Sequence, residues 1–349
     1  MKYGRSLLLM GAISVSVAAA CGGQVSTGKG GGAGGSPGAG GGNAGAGAGG
    51  MSAGAGGSSG GAAGGAVAGS SGSAGGAKGS GGAPGLGGNG GSGSSSARDP
   101  VIPPVNGDCP TFATGTVTVA GLAGISLQVG PKSQGTGPLL FYWHGTGQQA
   151  SEVNALIPAA VRQEILSQGG IIVSPQGSLG TGGDCSGTAT FSRDDFKVAD
   201  QIAACAVRDY GIDPRRIFTT GCSAGGLQAG CMGAMRSAYI AAVAPNSGGE
   251  VTQQTIEDPT RVPAVMTMHG GSTDMVIVSF ATTSATYDTE MKNAGSFVVN
   301  CDHGGGHCQA PAALYTAAWQ FMKDHPFGVT PQPYGMSLPA VFPNYCMEF

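Results

Sequence analysis

The chain has 349 residues, a formal net charge of −3 and 70 glycines, and its Lys and Arg together number only 16. So sparse a basic content, with no cluster in it, excludes nucleic acid as the partner, because neutralising phosphates needs grouped Lys and Arg. The glycine-rich stretch has no strict three-residue repeat with proline, which excludes collagen.

In chain order, Lys2 and Arg5 precede an apolar stretch over 7–20 that is too short to span a bilayer and reads as a secretory leader. Val17-Ala18-Ala19-Ala20-Cys21 resembles a bacterial lipoprotein processing site, with Cys21 as the lipid-bearing residue; ordinary cleavage after Ala20 is the plainer alternative. Either reading sends the chain out of the cytosol. Residues 22–98 are almost wholly Gly, Ala and Ser, with Lys29, Lys78 and Arg98 as their only charges. Such a stretch has too few large apolar groups to offset the entropy of ordering and is expected to be a disordered tether. Its r.m.s. span would be on the order of 50 Å.

Residues 99–349 form the expected single domain, long enough for a sizeable core. All 19 acidic residues fall here against 11 of the 16 basic ones, a formal charge of −8. Strands are expected at 139–143, 171–173, 217–220, 240–244, 262–268 and 296–300. Helices are expected at 153–166, 195–210, after Ser223, at 283–293 and at 312–323. This alternation predicts an α/β fold, a mainly parallel sheet with helices on both faces. Phe196, Ala199, Ala203, Ala206 and Tyr210 share one helical face, and Ser192 with Asp195 resembles a capping pair, so Asp194 and Asp195 are read as helix-start residues.

Gly221-Cys222-Ser223-Ala224-Gly225-Gly226 directly follows the apolar run 217–220. A serine at the centre of G-x-S-x-G sits on a sharp strand-to-helix turn that lifts its hydroxyl out of the sheet, with glycines where a Cβ would collide with backbone. In so glycine-rich a chain the pattern alone is weak, and the strand before and helix after it carry the argument. The bland alternative is a glycine turn without chemistry.

A base and an acid are expected after the serine, in the order Ser, Asp, His. Asp274 lies just beyond the strand at 262–268, in His269-Gly270-Gly271-Ser272-Thr273-Asp274, and His307 lies on Gly304-Gly305-Gly306-His307-Cys308. His307 would take the serine proton and Asp274 would fix the imidazole tautomer. His269 is read as a strand-end residue, and Asp288 and Glu290 as solvated helix residues. His303 is the competitor, and the cysteine beside His307 favours His307.

Of nine cysteines, Cys21 belongs to the leader junction, leaving an even eight that suit an oxidising compartment. Cys222 adjoins the proposed nucleophile and Cys308 the proposed base, so a bridge between them would hold two catalytic loops together. Cys109, Cys185, Cys205, Cys231, Cys301 and Cys346 allow 15 pairings, left open here. The competing reading of Cys301, His303, His307 and Cys308 is a zinc site.

Together Tyr142-Trp143-His144-Gly145-Thr146-Gly147, the Gly211-Ile212-Asp213-Pro214-Arg215-Arg216 lead, the nucleophile turn, the 269–274 turn and Gly304-Gly305-Gly306-His307 resemble the exported esterases grouped with polyhydroxybutyrate depolymerases and feruloyl esterases. The resemblance covers most of 108–349. It implies an α/β-hydrolase fold and a cofactor-independent serine carboxylesterase acting on a small or polymer-linked ester, feruloyl esters first and polyester or acetyl esters next. The cysteines beside the serine and the histidine are similar to the paired arrangement of tannase-type feruloyl esterases, which implies a Cys222–Cys308 bridge. The domain is too short for the large insertion of tannase-type enzymes. In the implied fold one oxyanion N–H comes from the loop after the strand at 139–143 and the other from the residue after the nucleophile, here Thr146 and Ala224. His144, Trp143 and Trp319 are read as structural.

Overall fold

The computed structural model describes residues 99–349; the leader, Cys21 and the tether lie outside the described residues. The chain opens with an antiparallel pair, β1 (Gly115–Val119) and β2 (Leu122–Val129), then β3 (Gly137–Trp143). Two short helices follow, α1 (Glu152–Leu156) and α2 (Ala159–Ser167), then β4 (Ile171–Pro175) and α3 (Asp195–Cys205). β5 (Ile212–Cys222), α4 (Ala224–Met235), β6 (Ala242–Asn246) and β7 (Ala264–His269) build the centre. α5 (Phe280–Asn293), β8 (Val298–Asp302), α6 (Ala312–Asp324) and β9 (Cys346–Glu348) complete it.

The nine strands lie in the order β1-β2-β4-β3-β5-β6-β7-β8-β9. From β4 to β8 every neighbouring pair is parallel, while β1, β2 and β9 run antiparallel at the two edges. All seven residues of β3 are buried, as a strand covered on both faces requires. Its alternate side chains divide the core: Leu139, Phe141 and Trp143 pack with α3, α4 and α5, whereas Leu140 and Tyr142 pack with α1, α2 and α6. Each large side chain so buried stabilises the fold by roughly 1.5–3 kcal/mol.

The helix expected over 153–166 is two helices, because Pro158 stands between them and cannot continue the first one's hydrogen-bond ladder. The one expected over 195–210 widens into a π turn at Ala206–Tyr210 and stops at Gly211, whose φ of 87° only glycine adopts without strain. At its start, the Asp195 carboxylate accepts from Ser192 N at 2.7 Å, the reciprocal half of a capping box, and also from Leu179 N at 2.6 Å.

Eight cysteines form four bridges, Cys109–Cys205, Cys185–Cys231, Cys222–Cys308 and Cys301–Cys346. Cys301 and Cys308 are thereby committed to separate disulfides, and this overturns the alternative of a zinc site built on their thiolates. Cys301–Cys346 fastens the three-residue β9 to β8, which that edge strand is too short to do by hydrogen bonds alone.

Candidate active site

Ser223 stands between β5 and α4 with φ 59° and ψ −123°, a conformation that costs a non-glycine residue on the order of 1–3 kcal/mol. Two backbone hydrogen bonds hold it there: Ser223 N donates to Asn246 O at 3.2 Å, and Leu227 N donates to Ser223 O at 2.9 Å. The turn fits only because its glycines lack side chains. A Cβ on Gly225 would lie 1.9 Å from Trp143 O, one on Gly221 2.4 Å from the same oxygen, and one on Gly226 2.6 Å from Asn246 O. β3, β5 and β6 thus close on the serine so tightly that the glycines serve contact as well as conformation.

Asp274 and His307 come from the loops beyond β7 and β8, at the same carboxyl edge of the parallel strands. His307 Nδ1 lies 2.8 Å from Asp274 Oδ1, and the Asp274 side chain is wholly buried. The other carboxylate oxygen accepts from Gly270 N at 2.8 Å and from the Ser247 hydroxyl at 2.8 Å. Burial alone would raise this carboxyl, but the hydrogen bonds from His307, Gly270 and Ser247 prevail and hold it below the ordinary aspartate value. Phe280, whose own N–H donates to Asp274 O at 2.9 Å, lays its ring against the imidazole at a centroid distance of 4.6 Å.

The two loops are held together at several points. Gly306 N donates to Gly270 O at 3.2 Å, and a Cβ on Gly270 would lie 2.1 Å from Gly306 O. The Cys222–Cys308 disulfide brings the residue before the serine within 6.0 Å, Cα to Cα, of the residue after the histidine. The bridge thus limits how far the backbones carrying Ser223 and His307 can separate.

His303 takes no part in the pairing with Asp274. Its N–H donates to His269 O at 2.9 Å and its Nδ1 accepts from Gly305 N at 3.1 Å, so it organises the loop that presents His307. His269 closes its own turn, accepting from Gly271 N at 3.2 Å. Asp288 is not the solvated residue expected. It is fully buried and accepts from the Thr267 hydroxyl at 2.8 Å and Asn300 Nδ2 at 2.7 Å, because the polar groups of β7 and β8 draw it into the core. Glu290 also departs from the expectation: it is half-buried and faces the carboxyl of Glu250.

Thr146 lies exposed on the loop after β3, its hydroxyl 2.8 Å from that of Thr190. Ala224 is the first residue of α4, where first-turn amides have no intrahelical acceptor. His144 is buried, with ring nitrogens 2.8 Å from Gly145 O and 3.0 Å from Gln176 O. Trp143 and Trp319 are core residues, the former donating to the Thr219 hydroxyl at 3.1 Å.

Two residues of the site carry no sequence signal of their own. Ser247, with φ 43°, donates to Asp274 and accepts from Cys308 N at 2.9 Å, so one hydroxyl bridges acid loop and histidine loop. The hint was its place in Asn246-Ser247-Gly248-Gly249, a small-residue run at the carboxyl end of β6. Glu152 accepts from Gly145 N at 2.9 Å and from the Tyr142 hydroxyl at 2.8 Å.

No protein-family model and no curated protein sequence matches the chain. Solved structures do. Native sOPH superposes with a TM-score of 0.53 at 18% identity, over 69% of this chain and 96% of that one. Native pOPH gives 0.54 at 17%, over 69% and 97%, and a serine-to-alanine variant of pOPH with pNPB gives 0.53 at 16%, over 69% and 96%. At such identities the likeness shows the fold, which with this strand order is that of the α/β-hydrolases.

Proposed function

We propose that the chain is a serine carboxylesterase in which Ser223 attacks an ester carbonyl, His307 shuttles the proton and Asp274 orients the imidazole. The observation that carries this reading is the strained serine turn bonded, through Cys222–Cys308, to the loop whose histidine lies 2.8 Å from a buried carboxylate. His307 Nδ1–H donates to Asp274, which leaves Nε2 as the base for the Ser223 hydroxyl. Attack forms a tetrahedral oxyanion. The N–H groups of Thr146 and Ala224 are the donors assigned to it. Collapse expels the alcohol, protonated by His307, and water then hydrolyses the acyl-enzyme by the same steps in reverse order of groups.

For the substrate, two ester classes have equal standing. Hydroxycinnamoyl esters of plant polysaccharide are what the resemblance of the paired cysteines to tannase-type feruloyl esterases implies. Short-chain polyesters are the other class, and Met275, Val276 and Ile277, directly after Asp274 and all exposed, offer apolar surface to the acyl chain of either. A pOPH variant that shares the fold was solved in complex with pNPB, which is consistent with an ester substrate for this chain. For the segment before residue 99 we propose export by the leader and anchoring through an acylated Cys21. An unmodified N-terminus in intact-mass analysis of the exported protein would refute the anchor.

The test of activity is turnover of p-nitrophenyl butyrate and methyl ferulate by the full chain beside Ser223→Ala. Activity lost by at least 10³-fold in the variant supports the esterase; two folded proteins equally inactive would remove it.

A further inference from the structure

A second carboxylate stands beside the nucleophile, outside the Ser223, His307 and Asp274 set. Glu152 begins α1, directly after the loop that follows β3, and points back at that loop. Its Oε2 accepts two hydrogen bonds, from Gly145 N at 2.9 Å and from the Tyr142 hydroxyl at 2.8 Å. Its Oε1 faces the serine. The point a Cβ on Gly145 would occupy is 3.5 Å from Glu152 Oε1 and 3.5 Å from Ser223 Cβ, so these two atoms are no more than about 7 Å apart.

The charges around Glu152 can be named from each element packed on it. They are the phenols of Tyr142 on β3 and Tyr315 on α6, and the imidazoles of His144 and His307. Asp274, hydrogen-bonded to His307, and Glu152, electrostatically coupled to it, both act on His307. Burial pushes the Glu152 carboxyl above its ordinary value, while the hydrogen bonds from Tyr142 and Gly145 and the two imidazoles pull it back. This half-buried carboxylate takes both of its donors from the loop and the strand before it, so removing it would leave the Gly145 amide and the Tyr142 hydroxyl without their acceptor and free the loop to move.

One consequence concerns the oxyanion. Because Glu152 accepts from the Gly145 N–H, that amide is already engaged, which agrees with the assignment of the Thr146 N–H to the oxyanion.

We propose that Glu152 is a positioning residue of this site: it fixes the loop carrying Gly145 and Thr146 in donor geometry and adds a second negative charge that stabilises the His307 imidazolium. The inference rests on the esterase reading. A carboxylate within electrostatic reach of an imidazole favours its charged form, and removing that charge lowers the imidazole's apparent pKa.

The experiment compares Glu152→Gln and Glu152→Ala with the wild-type full chain on p-nitrophenyl butyrate, as kcat, KM and the pH profile of kcat/KM. Glutamine keeps an acceptor oxygen and removes the charge; alanine removes both. Glu152→Ala is expected to lower kcat by about 10- to 100-fold with KM within about threefold, the mark of an interaction made in the transition state. Glu152→Gln is expected to regain most of kcat and to move the acidic limb of kcat/KM down by about half a unit. An unmoved acidic limb in Glu152→Gln, or unaltered kcat in a folded Glu152→Ala, overturns the proposal. If the wild type itself turns over no ester, or Ser223→Ala is as active as wild type, it is the esterase reading that has failed, and that result is distinct from either of these.

Discussion

Ser247 shows how a single hydroxyl can couple three loops. It sits at φ 43°, donates to Asp274 and accepts from Cys308 N, so it ties the end of β6 to the acid loop and to the residue after His307. Two substitutions separate its conformation from its hydrogen bonds. Ser247→Ala keeps the unfavourable φ and orphans the Cys308 amide; Ser247→Gly also loses the hydroxyl but tolerates the φ. Both are expected to lower kcat/KM by about 10-fold, with the glycine variant melting at the higher temperature of the two. Wild-type activity in either variant would show that the bonds made by the Ser247 hydroxyl are not needed to align the site, and equal melting points would show that φ strain at 247 costs nothing measurable. At this scale the serine turn was legible because its chemistry is local: the glycines, the preceding strand and the following helix are contiguous. Ser247 and Glu152 were not, since their meaning lies in partners 27, 61 and 7 residues away that only the folded sheet brings near.

α5 is the element whose interior differs from its surface pattern. Its 283–293 stretch reads as a polar helix, yet Asp288 is buried between Thr267 and Asn300, and Tyr287 beside it is fully enclosed. Burial pushes Asp288 up to about 7, against the lowering effect of the Asn300 and Thr267 hydrogen bonds. Glu250, buried where it faces Glu290 on the same helix, is likewise raised, first by burial and then by that neighbour. For both groups the folded state binds the proton more tightly than the unfolded state. The stability that these two groups contribute is therefore fully present below the unfolded carboxyl range and is lost as pH rises through the folded values. Thermal unfolding is expected at a lower temperature at pH 8 than at pH 5, and Asp288→Asn is expected to flatten the part of that decline below about pH 7. A decline equally steep in Asp288→Asn would assign it elsewhere. The same contrast explains α1 and α2, where one run of apolar spacing hid a break that Pro158 imposes.

The whole molecule depends on four cross-links, and they have separable duties. Cys109–Cys205 ties the segment before β1 to α3, and Cys222–Cys308 joins the Ser223 turn to the histidine loop. Their sequence separations are 96 and 86, so loop closure predicts similar stabilisation, about 4.6 kcal/mol each by the chain-entropy relation. Function should not follow stability. The paired variant Cys109→Ala with Cys205→Ala is expected to melt several degrees lower while keeping kcat/KM within about twofold. Cys222→Ala with Cys308→Ala is expected to lose a similar amount of stability and at least 10-fold in kcat, measured below both melting temperatures. Comparable activity in the two variants would mean that hydrogen bonds through Ser247 and Gly306 suffice to align the site.

The sequence by itself determined the alternation of strands and helices, the strand-turn-helix around Ser223, the chain order of serine, acid and histidine, and an even set of eight cysteines. These are all properties of short range or of simple count, which periodicity and spacing express directly. Tertiary structure alone decided the rest. It set the antiparallel edges β1, β2 and β9, the partners of Cys109, Cys185 and Cys301, and the hydrogen-bond partners of Ser247, Glu152 and Asp288, and it placed against Asp274 the His307 that the adjacent cysteine had already favoured. Each of these depends on which distant segments the sheet order makes adjacent. A pattern along the chain records which side chains face the core, but not which of them meet there.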